Sequence, residues 1–273
     1  LPPARRRGIP HHLIDIVDPT ETYSAARFAA DAARAITEIH GRGRLPILVG
    51  GTGFYFRALV RGLFPGPERN DALRARLNRV ADRRGVEALH RWTARVDPES
   101  ARRIQPRDRK RLVRALEVYR LTGLPLSVHF TNTRSPLHGC PVLAIGLNAP
   151  RAVLLERVAR RVDEQFAAGV VAEVERLLGR GVPSRAHALT GLVYRQVVEM
   201  LEGVRDLDQT RARIVRENMR YARRQLTWFR HEPGVQWLTP DGPEIARREA
   251  CALVDAQLHT SIGEPRGERI GEN

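Results

Sequence analysis

Residues 45–56 read Leu-Pro-Ile-Leu-Val-Gly-Gly-Thr-Gly-Phe-Tyr-Phe, an apolar run that breaks into glycines and a hydroxyl. An apolar stretch of this kind suits a buried parallel strand, 45–49, which delivers main chain to a ligand at its C-terminal edge. Gly50 and Gly51 permit positive φ and close approach, because no Cβ stands between the backbone and a bound group. Thr52 adds a hydroxyl and an N–H near a helix start, where partial positive charge favours anions. The same residues also serve a plain strand-to-helix turn, so their meaning depends on what the chain brings to them.

What it brings is arginine. Net charge is +15 and Lys110 is the sole lysine among 46 basic residues. A surplus of this size draws polyanions, nucleic acid above all, and the planar guanidinium suits phosphate. Three clusters stand out. The run Arg107-Asp108-Arg109-Lys110-Arg111-Leu112-Val113-Arg114 opens a helix, with Arg111 and Arg114 on one face at i,i+3. Arg151, Arg157, Arg160 and Arg161 share a second segment, and Arg213, Arg216, Arg220 and Arg223 form a stripe that ends in Arg223-Arg224-Gln225. Aromatic content of 5% argues against a stacking platform for single strands. Cys140 and Cys251 lie far apart, which suggests neither a disulfide framework nor a zinc knuckle. No apolar run approaches a membrane span and no secretory leader is visible. The expectation is a cytoplasmic protein without a membrane partner.

The elements that must hold these groups follow from periodicity. Residues 12–17 are expected as a short strand closed by Asp18-Pro19. Ser24 is expected to cap a helix to His40, with Phe28, Ala32, Ile36 and Ile39 on its core face. The strand 45–49 would then complete a right-handed parallel β–α–β unit. Phe64-Pro-Gly-Pro-Glu-Arg-Asn reads as a boundary. Helices are expected over 71–83, 85–95 and 107–122, followed by a broken polar stretch at 127–139 and a buried strand at 141–147. Further helices are expected over 151–168, with Leu155, Val158, Val162 and Phe166 inward, then 170–179 and 208–230, with 189–201 between them carrying Tyr194-Arg195-Gln196. The last helix carries a stripe of Val215, Met219, Ala222, Leu226 and Phe229. A strand at 235–238, a helix at 243–258 and a disordered tail at 260–273 complete the expectation. The simplest organisation is an α/β core from 1–64 and 140–259, with a helical domain, 65–139, inserted between its strands.

Four motifs in order then resemble one family. Pro10-His11-His12-Leu13-Ile14-Asp15, Leu48-Val49-Gly50-Gly51-Thr52, Arg111-Leu112-Val113-Arg114-Ala115-Leu116-Glu117-Val118 and Arg224-Gln225-Leu226-Thr227-Trp228-Phe229 are similar to tRNA dimethylallyltransferases over about residues 8–240. The resemblance implies a P-loop-kinase-like parallel-sheet core with an inserted helical tRNA-binding domain. It implies transfer of a dimethylallyl group from dimethylallyl diphosphate to the exocyclic amine of the adenosine 3′ of the anticodon, on a flipped base, with Mg²⁺ beside the diphosphate. The implied partners are a tRNA anticodon stem-loop and the diphosphate donor, acting on a monomer.

Position by position, Thr52 resembles the threonine that meets the target nucleotide. Arg74, Lys110, Arg111, Leu112, Val113 and Arg114 fall on tRNA-contacting positions, as do Thr190, Tyr194 and Arg195. Gly50, Gly51, Arg195 and Arg224 are the implied diphosphate contacts, and no residue is implied as a metal ligand. Two departures accompany the match. Where the family has Gly-Tyr-Arg, this chain has Val193-Tyr194-Arg195. The family also opens with a Gly-Pro-Thr-Ala-Ser-Gly-Lys-(Ser/Thr) phosphate loop and an Asp-Ser-x-Gln segment carrying the general base. Neither occurs in these 273 residues, so the expectation is a chain that starts downstream of both and is inactive by itself. Two alternatives stay open: a tRNA-binding chain without catalysis, and a small-molecule P-loop kinase relative, to which the basic stripes are foreign.

Overall fold

A computed structural model describes residues 6–64, 66–131 and 133–263, with side chains to His259. The expected tail therefore lies outside the described residues from 264 onward, while 260–263 are helical. The chain divides into two units: one of residues 1–24, 47–53 and 141–273, the other of 25–46 and 54–140.

The helical unit holds α1 (Ala25–Gly41), most of α2 (Gly53–Val60), α3 (Asp71–Arg84), α4 (Val86–Val96), α5 (Pro98–Arg103), α6 (Arg109–Thr122) and α7 (Leu126–Thr131). Each boundary has a local cause. Asn70 caps α3 by accepting the Leu73 N–H at 2.9 Å, and Asp108 caps α6 by accepting the Arg111 N–H at 3.1 Å. Gly123, at φ 73° and ψ −6°, takes the left-handed turn that ends α6, and Gly85, at φ 81° and ψ 156°, ends α3 in a backbone region open to glycine. Asp97 caps twice: one oxygen accepts from the Ser100 N–H at the start of α5, the other from the Ser127 N–H at the start of α7, both at 3.0 Å. Burial opposes its ionisation, but these donors outweigh burial and hold its pKa below the usual value. Leu77, Leu89, Leu112, Leu116, Val118 and Leu126 form the core of α3–α7. Each such side chain removed from water contributes roughly 1.5–3 kcal/mol. A smaller cluster joins Ala25 and Ala29 of α1 to Ala58 of α2, with the Phe28 and Tyr55 rings stacked at 4.6 Å.

The other unit pairs β1 (Ala144–Leu147) with β2 (Val235–Leu238) in parallel, Ala144 opposite Val235. The same unit holds α8 (Arg151–Ala167), α9 (Val170–Gly179), a 3₁₀ turn at His187–Thr190, α10 (Tyr194–Leu201), α11 (Leu207–Arg230) and α12 (Pro243–Gly263). Their core is Val162, Val170, Val174, Leu189, Val197 and Ile214.

Several expectations are corrected. Residues 12–17 form no strand, because Leu13 and Asp15 sit at φ 60° and 54° and break the extended run. The close at Asp18 does form: its carboxylate accepts the Thr20 N–H at 2.9 Å and hydroxyl at 2.6 Å. Residues 45–49 are likewise unpaired, with Ile47 and Val49 78% and 88% exposed. An extended segment becomes a strand only when a neighbour takes its N–H and C=O groups, and among the described residues only β1 and β2 pair. The expected β–α–β unit around α1 is therefore absent, and α1 packs on α2 instead. Leu155 is exposed, whereas Val162 is the buried residue of α8. On α11 the stripe from Val215 to Phe229 is half-buried, and the buried line is Thr210, Ile214 and Glu217. The stretch 127–139, expected to be broken, begins inside the short helix Leu126–Thr131 that Asp97 caps.

Candidate functional site

In the helical unit the basic run of α6 divides by partner. Glu117, whose side chain is fully buried, accepts Arg74 Nε and Nη2 on its two oxygens, each at 2.8 Å, and Arg114 Nη1 at 2.7 Å. The Asn70 N–H completes the set at 2.9 Å. Burial works against the charged carboxylate, yet the two guanidinium groups and the amide hold its pKa down at about 2. Arg114 also donates to the Pro67 carbonyl at 3.1 Å and lies 5.9 Å from the centre of the Phe64 ring. Arg74 and Arg114 thus stand fixed on one carboxylate with their side chains 28% and 31% exposed.

The neighbours differ. Lys110 is exposed, and Arg111, 71% exposed, reaches only Asp108 among the described residues, at 3.4 Å. Arg111 and Arg114 are therefore not the equivalent pair that their spacing suggested. Leu112 and Val113, 0% and 4% exposed, fill the core and offer no side chain to a surface ligand. Arg109 spends its donors on Asn78 and Asp82.

In the sheet-bearing unit the Gly50–Gly53 turn is held by the C-terminal half of α11. Gln225 Nε2 donates to the Gly51 carbonyl at 2.8 Å. A Cβ on Gly51 would meet that amide at 2.0 Å, and one on Gly53 would meet the Trp228 ring at 2.3 Å. Two of the sequence motifs therefore touch, and these glycines are required by protein packing. None of Gly50, Gly51 and Gly53 has positive φ, contrary to expectation. Gly50 has nothing within 4 Å of a built Cβ, and Thr52 is exposed. Arg224 is exposed with its guanidinium 5.5 Å from the centre of the Tyr221 ring. Along α11, Arg216, Arg220 and Arg223 are exposed and have no carboxylate partner among the described residues, whereas Arg213 pairs with Glu217 at 2.6 Å. On α8, Arg157 and Arg161 are exposed, and Arg160 lies 3.7 Å from Glu156.

Thr190 is exposed and its hydroxyl closes the 3₁₀ turn on the His187 carbonyl at 2.8 Å. Tyr194 donates its hydroxyl to Glu173 at 2.9 Å, and burial first, then this carboxylate, raises its pKa. Arg195 joins Glu217 at 2.5 Å. Burial disfavours the Glu217 charge, but Arg195 and Arg213 outweigh it and lower the pKa. Val193 sits at φ 77°, ψ −60°, where a β-branched residue costs about 1–3 kcal/mol. This is the place of the glycine in Gly-Tyr-Arg, so the backbone keeps a glycine-like geometry without the glycine.

Sequence reasoning missed Glu117, Glu217, Gln196 and Gln225 as the groups that hold these arginines and the turn. Glu117 sits at a core-facing position among Leu112, Leu116 and Val118, and Glu217 follows Ile214 by three residues. A carboxylate on a buried helical face was the available signal.

Comparison with known proteins agrees with this anatomy. A model of IPP transferases matches residues 1–232. The tRNA dimethylallyltransferase of Thermomicrobium roseum is 49% identical over 269 residues, covering 94% of this chain and 81% of that protein. That of Geobacter sulfurreducens is 44% identical over 230 residues, covering 84% and 74%. The crystal structure of the full-length tRNA isopentenylpyrophosphate transferase of Bacillus halodurans superposes with a TM-score of 0.66 at 35% identity, covering 95% of this chain and 82% of that one. A eukaryotic dimethylallyltransferase structure shares the fold at a TM-score of 0.73 and 24% identity. The helix-rich chain with its small parallel sheet matches those structures, in keeping with the expected P-loop-kinase-like α/β core. With the matched span running through both units, and with the Gly-Gly-Thr turn and the α11 motif found in contact, the chain belongs to the IPP transferase family.

Proposed function

We propose that the chain serves transfer of a dimethylallyl group from dimethylallyl diphosphate to the exocyclic amine of the adenosine 3′ of the anticodon in tRNA. The amine lone pair attacks the allylic carbon, the carbon–oxygen bond breaks with its electrons going to diphosphate, and the amine then gives up a proton. The observation that carries the reading is the Gly50–Gly53 turn clasped by Gln225 and Trp228 of α11, the helix whose outer face bears Arg216, Arg220 and Arg223. One helix thus links a phosphate-binding stripe to the turn on which Thr52 meets the target nucleotide.

The tRNA grip is assigned to Arg74, Lys110, Arg111, Arg114, Thr190, Tyr194 and Arg195, with Leu112 and Val113 supporting them from the core. Gly50, Gly51 and Arg224 are assigned to the developing charge on the diphosphate, for which Arg195 is the alternative to its place in the tRNA grip. Mg²⁺ is the divalent cation proposed beside the diphosphate, where it would offset the charge that develops on the leaving group. Among the described residues no group of three or more His, Cys, Asp or Glu side chains converges. Also among the described residues, no helix is long and apolar enough to cross a membrane. The chain is proposed to act as a monomer.

The test uses two proteins: residues 1–273, and the same chain fused behind the phosphate-loop segment that the family resemblance implies. Both should bind unmodified tRNA. Only the fusion should add the dimethylallyl mass to adenosine when given dimethylallyl diphosphate and Mg²⁺, because each missing charge-stabilising donor costs ~10²–10³ in rate. Failure of the well-folded fusion to modify any tRNA would refute the proposal. The second reading, RNA binding without catalysis, is favoured by the same result.

A further inference from the structure

The turn that leads into α10 is strained, and buried polar groups hold it. Val193 lies at φ 77°, ψ −60° with its side chain in the core, 6% exposed. Its N–H donates to Gln196 Oε1 at 2.7 Å. Gln196 is itself 1% exposed and donates its amide nitrogen to Glu217 Oε2 at 2.5 Å. The same oxygen accepts Arg195 Nη2 at 2.5 Å, and the other accepts Arg213 Nε at 2.6 Å. Arg195 also lies 3.9 Å from Glu199, and its side chain stays 47% exposed. One edge of the Arg195 guanidinium is therefore fixed on a buried carboxylate while the rest faces water. Residues in sparsely populated backbone regions persist where their surroundings over-determine them, and such places cluster at ligand clamps.

We propose that Glu217, backed by Gln196 and the Val193 turn, is a positioning residue that presents Arg195 to a phosphate of the tRNA backbone. This rests on the reading of 190–195 as a tRNA-binding segment. A free arginine gives up rotamer freedom when it binds, whereas one clamped in the folded protein has already lost it. Arg195, Arg213 and Arg205 against Glu217 and Glu199 leave one net positive charge, so the clamp orients the guanidinium without cancelling its attraction for an anion.

Two effects oppose one another in Glu217→Gln. Removing a negative charge from a basic surface by itself tightens RNA binding. Losing the clamp weakens it. The sign of the change therefore separates positioning from bulk charge.

The experiment titrates residues 1–273 with an unmodified anticodon stem-loop RNA at several salt concentrations, after circular dichroism has checked that each variant is folded. Arg195→Ala should bind roughly 3–10-fold more weakly, with a salt slope shallower by about 1. Glu217→Gln should bind roughly 2–5-fold more weakly despite its extra positive charge, and the double variant no more weakly than Arg195→Ala alone. Unchanged binding by Arg195→Ala overturns the tRNA reading of this segment, and the positioning role with it. Weakened binding by Arg195→Ala alongside equal or tighter binding by Glu217→Gln leaves that reading standing and overturns the positioning role. Should Glu217→Gln fail to fold, Arg195→Lys decides, since it alters a half-exposed side chain and keeps the charge. Lysine cannot fork between Glu217 and a phosphate, so it should bind within about twofold of Arg195→Ala. Wild-type affinity from lysine overturns the proposal.

Discussion

Replacing Glu117 by Gln tests the buried hub of the helical unit. The glutamine keeps the volume and can still accept from Asn70, but its amide NH₂ faces guanidinium donors, and Arg74 and Arg114 lose their counter-charge. The magnitude follows from the carboxyl's fall from 4.5 to about 2 on folding. At ~1.4 kcal/mol per pH unit that fall corresponds to about 3 kcal/mol, an upper figure because water reaches the two arginines. Breaking a buried pair by removing one partner typically costs ~3–5 kcal/mol, so the two estimates meet near 3. The sign is fixed by the direction of the change. A carboxyl whose folded pKa is depressed stabilises the protein above its unfolded pKa and loses that contribution as pH falls toward the folded value. Denaturant unfolding followed by far-ultraviolet circular dichroism should show Glu117→Gln less stable by ~2–3 kcal/mol at neutral pH, the gap narrowing steadily below about pH 4.5. Glu244→Gln serves as the control, because Arg247 and Glu244 pair at 2.8 Å with side chains 75% and 79% exposed; an exposed pair of this kind contributes at most ~0.5 kcal/mol. A Glu117→Gln midpoint equal to wild type, or a gap that stays constant from pH 6 to pH 3, refutes the account of Glu117 as an ionised hub.

Gly53→Ala should destabilise the turn and reduce tRNA modification by the fusion, because its Cβ would meet the Trp228 ring at 2.3 Å; overpacking of this kind costs ~1–3 kcal/mol. Gly50→Ala meets nothing within 4 Å and should be tolerated; equal losses in thermal melts of the two variants would contradict the packing role of Gly53. Alanine at Arg216, Arg220 or Arg223 should each lower the salt slope of tRNA binding by ~1 without changing the melting temperature. Arg109→Ala should do the reverse, since Asn78 and Asp82 already occupy its donors. A stripe variant that melts early with its slope unchanged would place that arginine in the fold.

The helices were legible because helical hydrogen bonds are local and apolar spacing repeats within a few residues, although the cap Asp108 was read as lying inside its helix. The strand at Val235–Leu238 was legible for a similar reason, an apolar run between turn signals. Residues 12–17 and 45–49 were not, since a strand is completed by a neighbour that its own pattern does not specify. The arginine clusters were visible as charge, but their roles depended on carboxylates distant in sequence. Glu117 lies 43 residues from Arg74, and Glu217 lies 22 from Arg195. Charge counting saw one basic run in 107–114 with Arg111 and Arg114 paired on a face, and Arg74 entered only through the resemblance. The folded chain makes Arg74 and Arg114 a fixed pair, commits Arg109 to its neighbours, ties Arg107 to Glu87 and leaves Arg111 nearly bare.

The double cap at Asp97 also bears on how the helical unit breathes. Its two oxygens close the first turns of α5 and α7, which are otherwise separate segments. Opening either turn leaves a buried carboxylate half-satisfied, and the penalty falls on whichever turn is still closed. The cheapest excursion releases both turns together, as one cooperative unit. The amides of Ser100 and Ser127 then exchange with solvent deuterium at a common opening free energy, although 27 residues of chain separate them.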